Sequence, residues 1–169
     1  MKAVVVYESL WGDTAAVAAA VAEGIGAQAR ALSTAEATGE SLAGVELIVA
    51  GAPVLGFKLP SEMMRASIRA NPGKAPAPPD LSHPSMRAWL AELAGGHGRA
   101  AAFETRVPGP WGSAAPAIAK GLAKAGYDPL GKPRSFVVTG KFGPLREGEL
   151  EKARLWGAEL ARSLQKEAR

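Results

Sequence analysis

Short, nearly unbroken apolar runs alternate with stretches of helical period along this 169-residue chain, and that alternation restricts its fold most. Residues 2–7 contain Ala3-Val4-Val5-Val6, and residues 45–51 read Val-Glu-Leu-Ile-Val-Ala-Gly. Residues 99–105 and 134–140 form two more runs, and residues 28–32 a weaker one that carries charge. Strands this apolar must be buried on both faces, so helices have to cover the sheet on both sides. The intervening segments supply such helices. Val17, Val21 and Ile25 align within 14–25, and Met64 and Ile68 within 61–69, where Ser61 can cap after Pro60. Met86, Trp89, Leu90 and Leu93 make a stripe on a short helix; Ala114, Ile118 and Leu122 align within 113–125. Leu150, Ala153, Gly157, Leu160 and Leu164 mark the inner face of a closing helix over 147–165. The pattern predicts one α/β domain over residues 1–169, with a doubly wound, five-stranded parallel sheet and helices on both faces.

The pattern breaks between the third and fourth strands. Residues 71–84 contain Pro72, Pro76, Pro78, Pro79 and Pro84 and a single large apolar side chain, Leu81. Proline removes backbone donors and fixes φ, so this excursion is predicted to be an extended surface path, a stiff connector to the helix at Met86.

Composition excludes several classes of function. With 47% hydrophobic and 21% charged residues the chain is expected to fold, and without cysteine it has no disulfide, thiolate metal site or thiol nucleophile. Its only histidines, His83 and His97, sit in Gly/Pro-rich surroundings and read as exposed loop residues, so no metal site is expected. The charge of +4 comes from 20 Lys/Arg mixed among 16 Asp/Glu, with no basic stripe interleaved with aromatics, which argues against nucleic acid as a partner. The longest apolar run, Ala15 to Ala22, is too short for a bilayer, and Met1-Lys2 leads straight into a strand pattern. A cytoplasmic protein without membrane attachment is expected.

The stretch most informative about function follows the first strand: Tyr7-Glu8-Ser9-Leu10-Trp11-Gly12-Asp13-Thr14. A buried strand that ends in a hydroxyl- and glycine-containing turn and opens a helix is suited to an anion. The helix start leaves N–H groups unpaired and its dipole favours negative charge. Ser9 and Thr14 add hydroxyls, and Gly12 permits close backbone approach. The turn lacks the lysine and spacing of a triphosphate loop and also lacks GxGxxG, which leaves a single phosphomonoester held by neutral donors.

This turn resembles the first-strand phosphate loop of flavodoxins, which runs aromatic-x-Ser/Thr-x-Thr-Gly-x-Thr and holds the phosphate of FMN. Tyr7, Ser9, Gly12 and Thr14 fall on the pattern. Trp11 replaces a usual Thr, as in turns of the flavodoxin domains of flavodiiron proteins, and Asp13 replaces a common Asn. The resemblance spans nearly the whole chain outside 71–84. It implies the flavodoxin-like strand order 2-1-3-4-5, a ligand at the carboxyl ends of strands 1 and 3, and an excursion remote from that ligand.

Two more loops extend the resemblance. Gly51-Ala52-Pro53-Val54 is similar to the Gly-Ser-Pro-Thr turn of those domains, without the Thr hydroxyl at Val54. Pro53, Val54, Leu55, Gly56 and Phe57 are thereby implied to lie along the isoalloxazine ring; Phe57 either covers it or packs under its own loop. Strand 4 ends at Thr105-Arg106, and in the loop that follows Trp111-Gly112-Ser113-Ala114 resembles the Trp-Ser-Gly segment of the same domains, with Gly and Ser exchanged. Trp111 either flanks the ring or packs at a helix start, and Arg106 either faces the flavin or is a solvated loop arginine. Val107 and Pro108 stand where the family has a tyrosine.

The implied site is thus cofactor-binding, with no catalytic residues: Ser9, Leu10, Trp11, Gly12, Asp13, Thr14, Pro53–Phe57, Thr105, Arg106, Trp111 and Gly112 around FMN. The resemblance implies an electron carrier that serves redox partner proteins. The alternatives are an NAD(P)H:quinone-type FMN oxidoreductase and an interaction module that has lost FMN.

Overall fold

The computed structural model describes all 169 residues. Its sheet is built on β1 (Ala3–Tyr7), which pairs in parallel with β2 (Ala29–Ser33) on one side and β3 (Leu47–Pro53) on the other. β4 (Arg99–Arg106) adds in parallel to β3. Two segments share the last position: β5 (Asp128–Pro129) pairs with Arg99 and Ala100, and β6 (Arg134–Val137) with Phe103 to Arg106. The order is 2-1-3-4-5, as expected, with the fifth strand split in two. An Asp-Pro dipeptide carries no strand signature of its own.

Alternate residues of each strand feed two cores. Val4, Val6, Ile48 and Ala50 meet Met86, Trp89, Ile118 and Leu122 on one face. Val5, Val49, Phe103 and Phe136 meet Val17, Val21, Trp156 and Leu160 on the other. The first face is covered by α4 (Met86–Glu92) and α5 (Ala115–Lys124), the second by α1 (Asp13–Ile25) and α6 (Glu149–Glu167). A short α2 (Gly39–Leu42), unforeseen in the sequence, follows β2, and α3 (Glu62–Ala70) starts on Ser61, whose hydroxyl accepts from the Met64 N–H. Leu150, read as inward, is 45% exposed; Glu149 turns in instead and accepts from the Val137 N–H at 3.0 Å.

Helices α1 and α6 pack backbone to backbone through two glycines. A Cβ on Gly24 would stand 1.9 Å from the Arg154 carbonyl oxygen, and one on Gly157 would stand 2.2 Å from that of Val21. Neither backbone can yield without parting the helices. Gly24→Ala is therefore expected to lower stability by about 1–3 kcal/mol despite alanine's better helix propensity. Urea unfolding checks this; an unchanged or raised midpoint would show that the helices re-space freely.

Candidate functional site

The loops leaving the carboxyl ends of β1, β3, β4 and β6 converge on a cleft of about 330 Å³. Of the residues singled out in the sequence, all but Gly12 and Gly112 line it. Met64 and Ile68 of α3, Val107, Val138 and Lys141 line it too. The first two were legible only as a core stripe. Val138 and Lys141 follow the last strand, and only the shared strand edge brings them here.

The first turn forms one wall. Ser9 and Leu10 are buried, and the Ser9 hydroxyl accepts from the Gly12 N–H at 3.1 Å. Gly12 has φ 100°, which a side chain would strain, and its Cβ position is open space. The N–H groups of Leu10, Trp11, Asp13, Thr14 and Ala15 have no protein partner. Thr14 is buried, with Oγ1 2.8 Å from Thr105 Oγ1. Two hydroxyls joined this way share one proton in the bond and keep the second free to donate. Trp11 meets Phe142 edge-on at 4.8 Å, and its buried indole N–H has no partner. Asp13 faces the Leu145 N–H and packs on Gly143; burial pushes its carboxyl up and the Leu145 N–H pulls it down.

The loop after β3 forms the opposing rim. Leu55 and Lys58 pair across a two-residue turn in which Gly56 and Phe57 both have positive φ, 59° and 68°. That is the signature of a type I′ turn, and a bulky aromatic is strained there. The N–H groups of Val54 and Leu55 are engaged by Thr105 and Lys58; those of Gly56 and Phe57 have no partner. Phe57 is 63% exposed and does not pack under its own loop. Its ring lies 6.0 Å from that of Trp111, itself 50% exposed and not packed at a helix start. Gly112 makes this meeting possible: with φ 81°, its Cβ would stand 1.9 Å from the Phe57 carbonyl oxygen, which accepts from the Ser113 N–H.

Arg106 is not a free loop arginine. Its guanidinium lies 3.3 Å from the buried Glu104 carboxylate and donates to the Gly109 carbonyl at 2.5 Å. Glu104 in turn accepts from the Ala114 and Ala115 N–H groups at 3.0 and 2.9 Å, so it ties the β4 loop to the start of α5. Lys141, exposed at the cleft, is the cation that lines it without an ion pair.

Behind the first turn lies a polar cluster that the sequence did not announce. Glu8 and Arg65 are buried and joined at 2.7 Å, and the other Glu8 oxygen accepts from the Met86 N–H at 2.8 Å. His83, expected to be an exposed loop residue, is buried beside them. No group of three or more histidine, aspartate or glutamate side chains could hold a metal ion. No helix is long and apolar enough to cross a membrane.

Comparison with solved structures identifies the fold. An archaeal flavodoxin superimposes with TM-score 0.65 at 20% identity, over 98% of this chain and 99% of its own. Oxidised flavodoxin 1 from Bacillus cereus gives 0.65 at 17%, over 96% and 98%. The flavodiiron protein from Giardia intestinalis gives 0.58 at 18%; this chain covers only 36% of its length. No protein-family model and no curated protein matches the sequence. The chain has the flavodoxin-like α/β fold, and at these identities the likeness is one of fold.

Proposed function

We propose that this chain binds FMN in the cleft and carries electrons between redox partner proteins. The observation that carries the reading is the set of unpartnered N–H groups in the Leu10–Ala15 turn, set beside the Thr14–Thr105 hydroxyl pair at one end of an apolar cleft. A phosphomonoester needs such a concentration of donors, and the α1 dipole adds to it. The Asp13 carboxylate is engaged towards Leu145, which reduces its conflict with an anion.

The rest of the cleft fits a flat, mostly apolar ring with a polar edge. Val54, Leu55 and Val107 supply apolar wall, and the free N–H groups of Gly56 and Phe57 supply donors. Phe57 and Trp111 would flank the ring and limit its contact with water. FMN, when bound, supplies one- and two-electron redox chemistry; the protein supplies position and surroundings. The alternative of a steady-turnover quinone reductase has no feature of this cleft in its favour.

Tryptophan emission tests the placement. FMN is expected to quench it strongly, through Trp11 and Trp111, while Trp89 and Trp156 lie in the two cores. Replacing both cleft tryptophans with phenylalanine should abolish most of the quenching. Undiminished quenching in that double variant would place the flavin elsewhere.

A further inference from the structure

The Pro-rich excursion does not run clear of the site, contrary to what the flavodoxin resemblance implies. Most of it is an exposed path, but its end turns inward against the first turn. The Asp80 N–H donates to the Leu10 carbonyl at 2.7 Å. The buried His83 accepts from the Ser9 N–H at Nε2, 3.3 Å away and across 74 residues of sequence. Two backbone groups of the turn are thus set by a distant segment.

That segment is itself anchored. The His83 carbonyl accepts from Arg65 Nη2 at 2.5 Å, and the Pro84 carbonyl from the Thr34 hydroxyl at 2.6 Å. Asp80 Oδ1 accepts from the Ser82 N–H and hydroxyl and lies 3.6 Å from His83 Nδ1. The Ser82 bonds hold the Asp80 carboxyl below its ordinary range, so it stays ionised at neutral pH and favours the proton on Nδ1. Nε2 then keeps the lone pair that the Ser9 N–H requires.

We propose that residues 80–84 brace the first turn, with His83 a positioning residue that fixes the Ser9 N–H and so the aim of the neighbouring free N–H groups. The brace rests on the phosphate reading of the turn. It is proton-sensitive, because a proton on Nε2 turns the acceptor into a donor facing another donor. The charged groups near the imidazole are Asp80 on its own segment, Glu8 just after β1, and Arg65 on α3, which holds the His83 carbonyl.

The test measures FMN and riboflavin affinities of the native protein, His83→Ala and His83→Gln from about pH 8 down to about pH 5. Glutamine places a carbonyl oxygen near the position of Nε2 and does not titrate. At the higher pH, His83→Ala should lose about tenfold in FMN affinity and little for riboflavin, and His83→Gln should regain most of it. Towards the lower pH the native protein should lose about tenfold more FMN affinity than His83→Gln, the titration of the FMN phosphate being common to both. Matching FMN profiles for native and His83→Gln would overturn the brace. NMR of the protein alone supplies a second decision, also if His83→Ala fails to fold. The Ser9 amide resonance must move with the His83 titration, and a Ser9 amide indifferent to it would refute the contact. Loss of the phosphate reading would show instead as no preference for FMN with the Ser9–His83 coupling intact.

Discussion

Arg65→Ala, unfolded in urea at neutral pH, is expected to show a folding free energy lower by about 3–5 kcal/mol. Arg65 and Glu8 are buried together at the base of the first turn, with 5% and 0% side-chain exposure. Removing the guanidinium leaves a carboxylate in the interior with only the Met86 N–H as partner. Burial already pushes the Glu8 carboxyl up, while the Met86 N–H and Arg65 pull it down, so loss of Arg65 raises it further. A carboxyl whose folded pKa exceeds its unfolded value near 4.5 binds more protons when folded. Its contribution is fully present below that value and is lost as pH rises through the folded pKa. The deficit of Arg65→Ala against the native protein should therefore be smaller near pH 4 than near pH 8. A deficit that ignores pH would mean that Glu8 reaches water or another cation once Arg65 is gone.

The second large effect concerns the ligand. Thr14→Val keeps the shape of the side chain and removes the hydroxyl that meets Thr105. Loss of one charge-assisted hydrogen bond to a phosphate costs about 1.5–3 kcal/mol, or ten- to hundredfold in affinity. FMN affinity should fall by that factor and riboflavin affinity should hardly change. Equal losses for both flavins would assign Thr14 to the fold and not to the phosphate.

Much of this was legible because the informative residues are local. Val4-Val5-Val6 and Leu47 to Ala50 are apolar on both faces, so the parallel sheet and its covering helices could be read directly, and the turn after β1 followed from strand, glycine and helix in sequence. What escaped reading depends on contacts between distant segments. Asp128-Pro129 is a strand only because β4 offers an edge, and Leu130 to Pro133 part it from β6. Lys141 reaches the cleft because the loop after β6 folds back against the first turn, where Phe142 meets Trp11 and Gly143 meets Asp13. His83 looked like a loop histidine because neither the Ser9 N–H nor the Arg65 guanidinium that bury it is a neighbour in sequence. Phe57 and Trp111 could each be read from the sequence as packed or as open to a ligand, and their 63% and 50% exposure removes only the packed reading.

The central claim is that the Leu10–Ala15 turn holds a phosphate, and titrating the native protein with FMN and with riboflavin tests it most directly. The two flavins share the ring and differ at the phosphate, so contacts to the ring cancel in the comparison. With several unpartnered N–H groups and one free hydroxyl proton facing the phosphate, FMN should bind at least about a hundredfold more tightly. Equal affinity for the two, or binding of neither, would contradict the account.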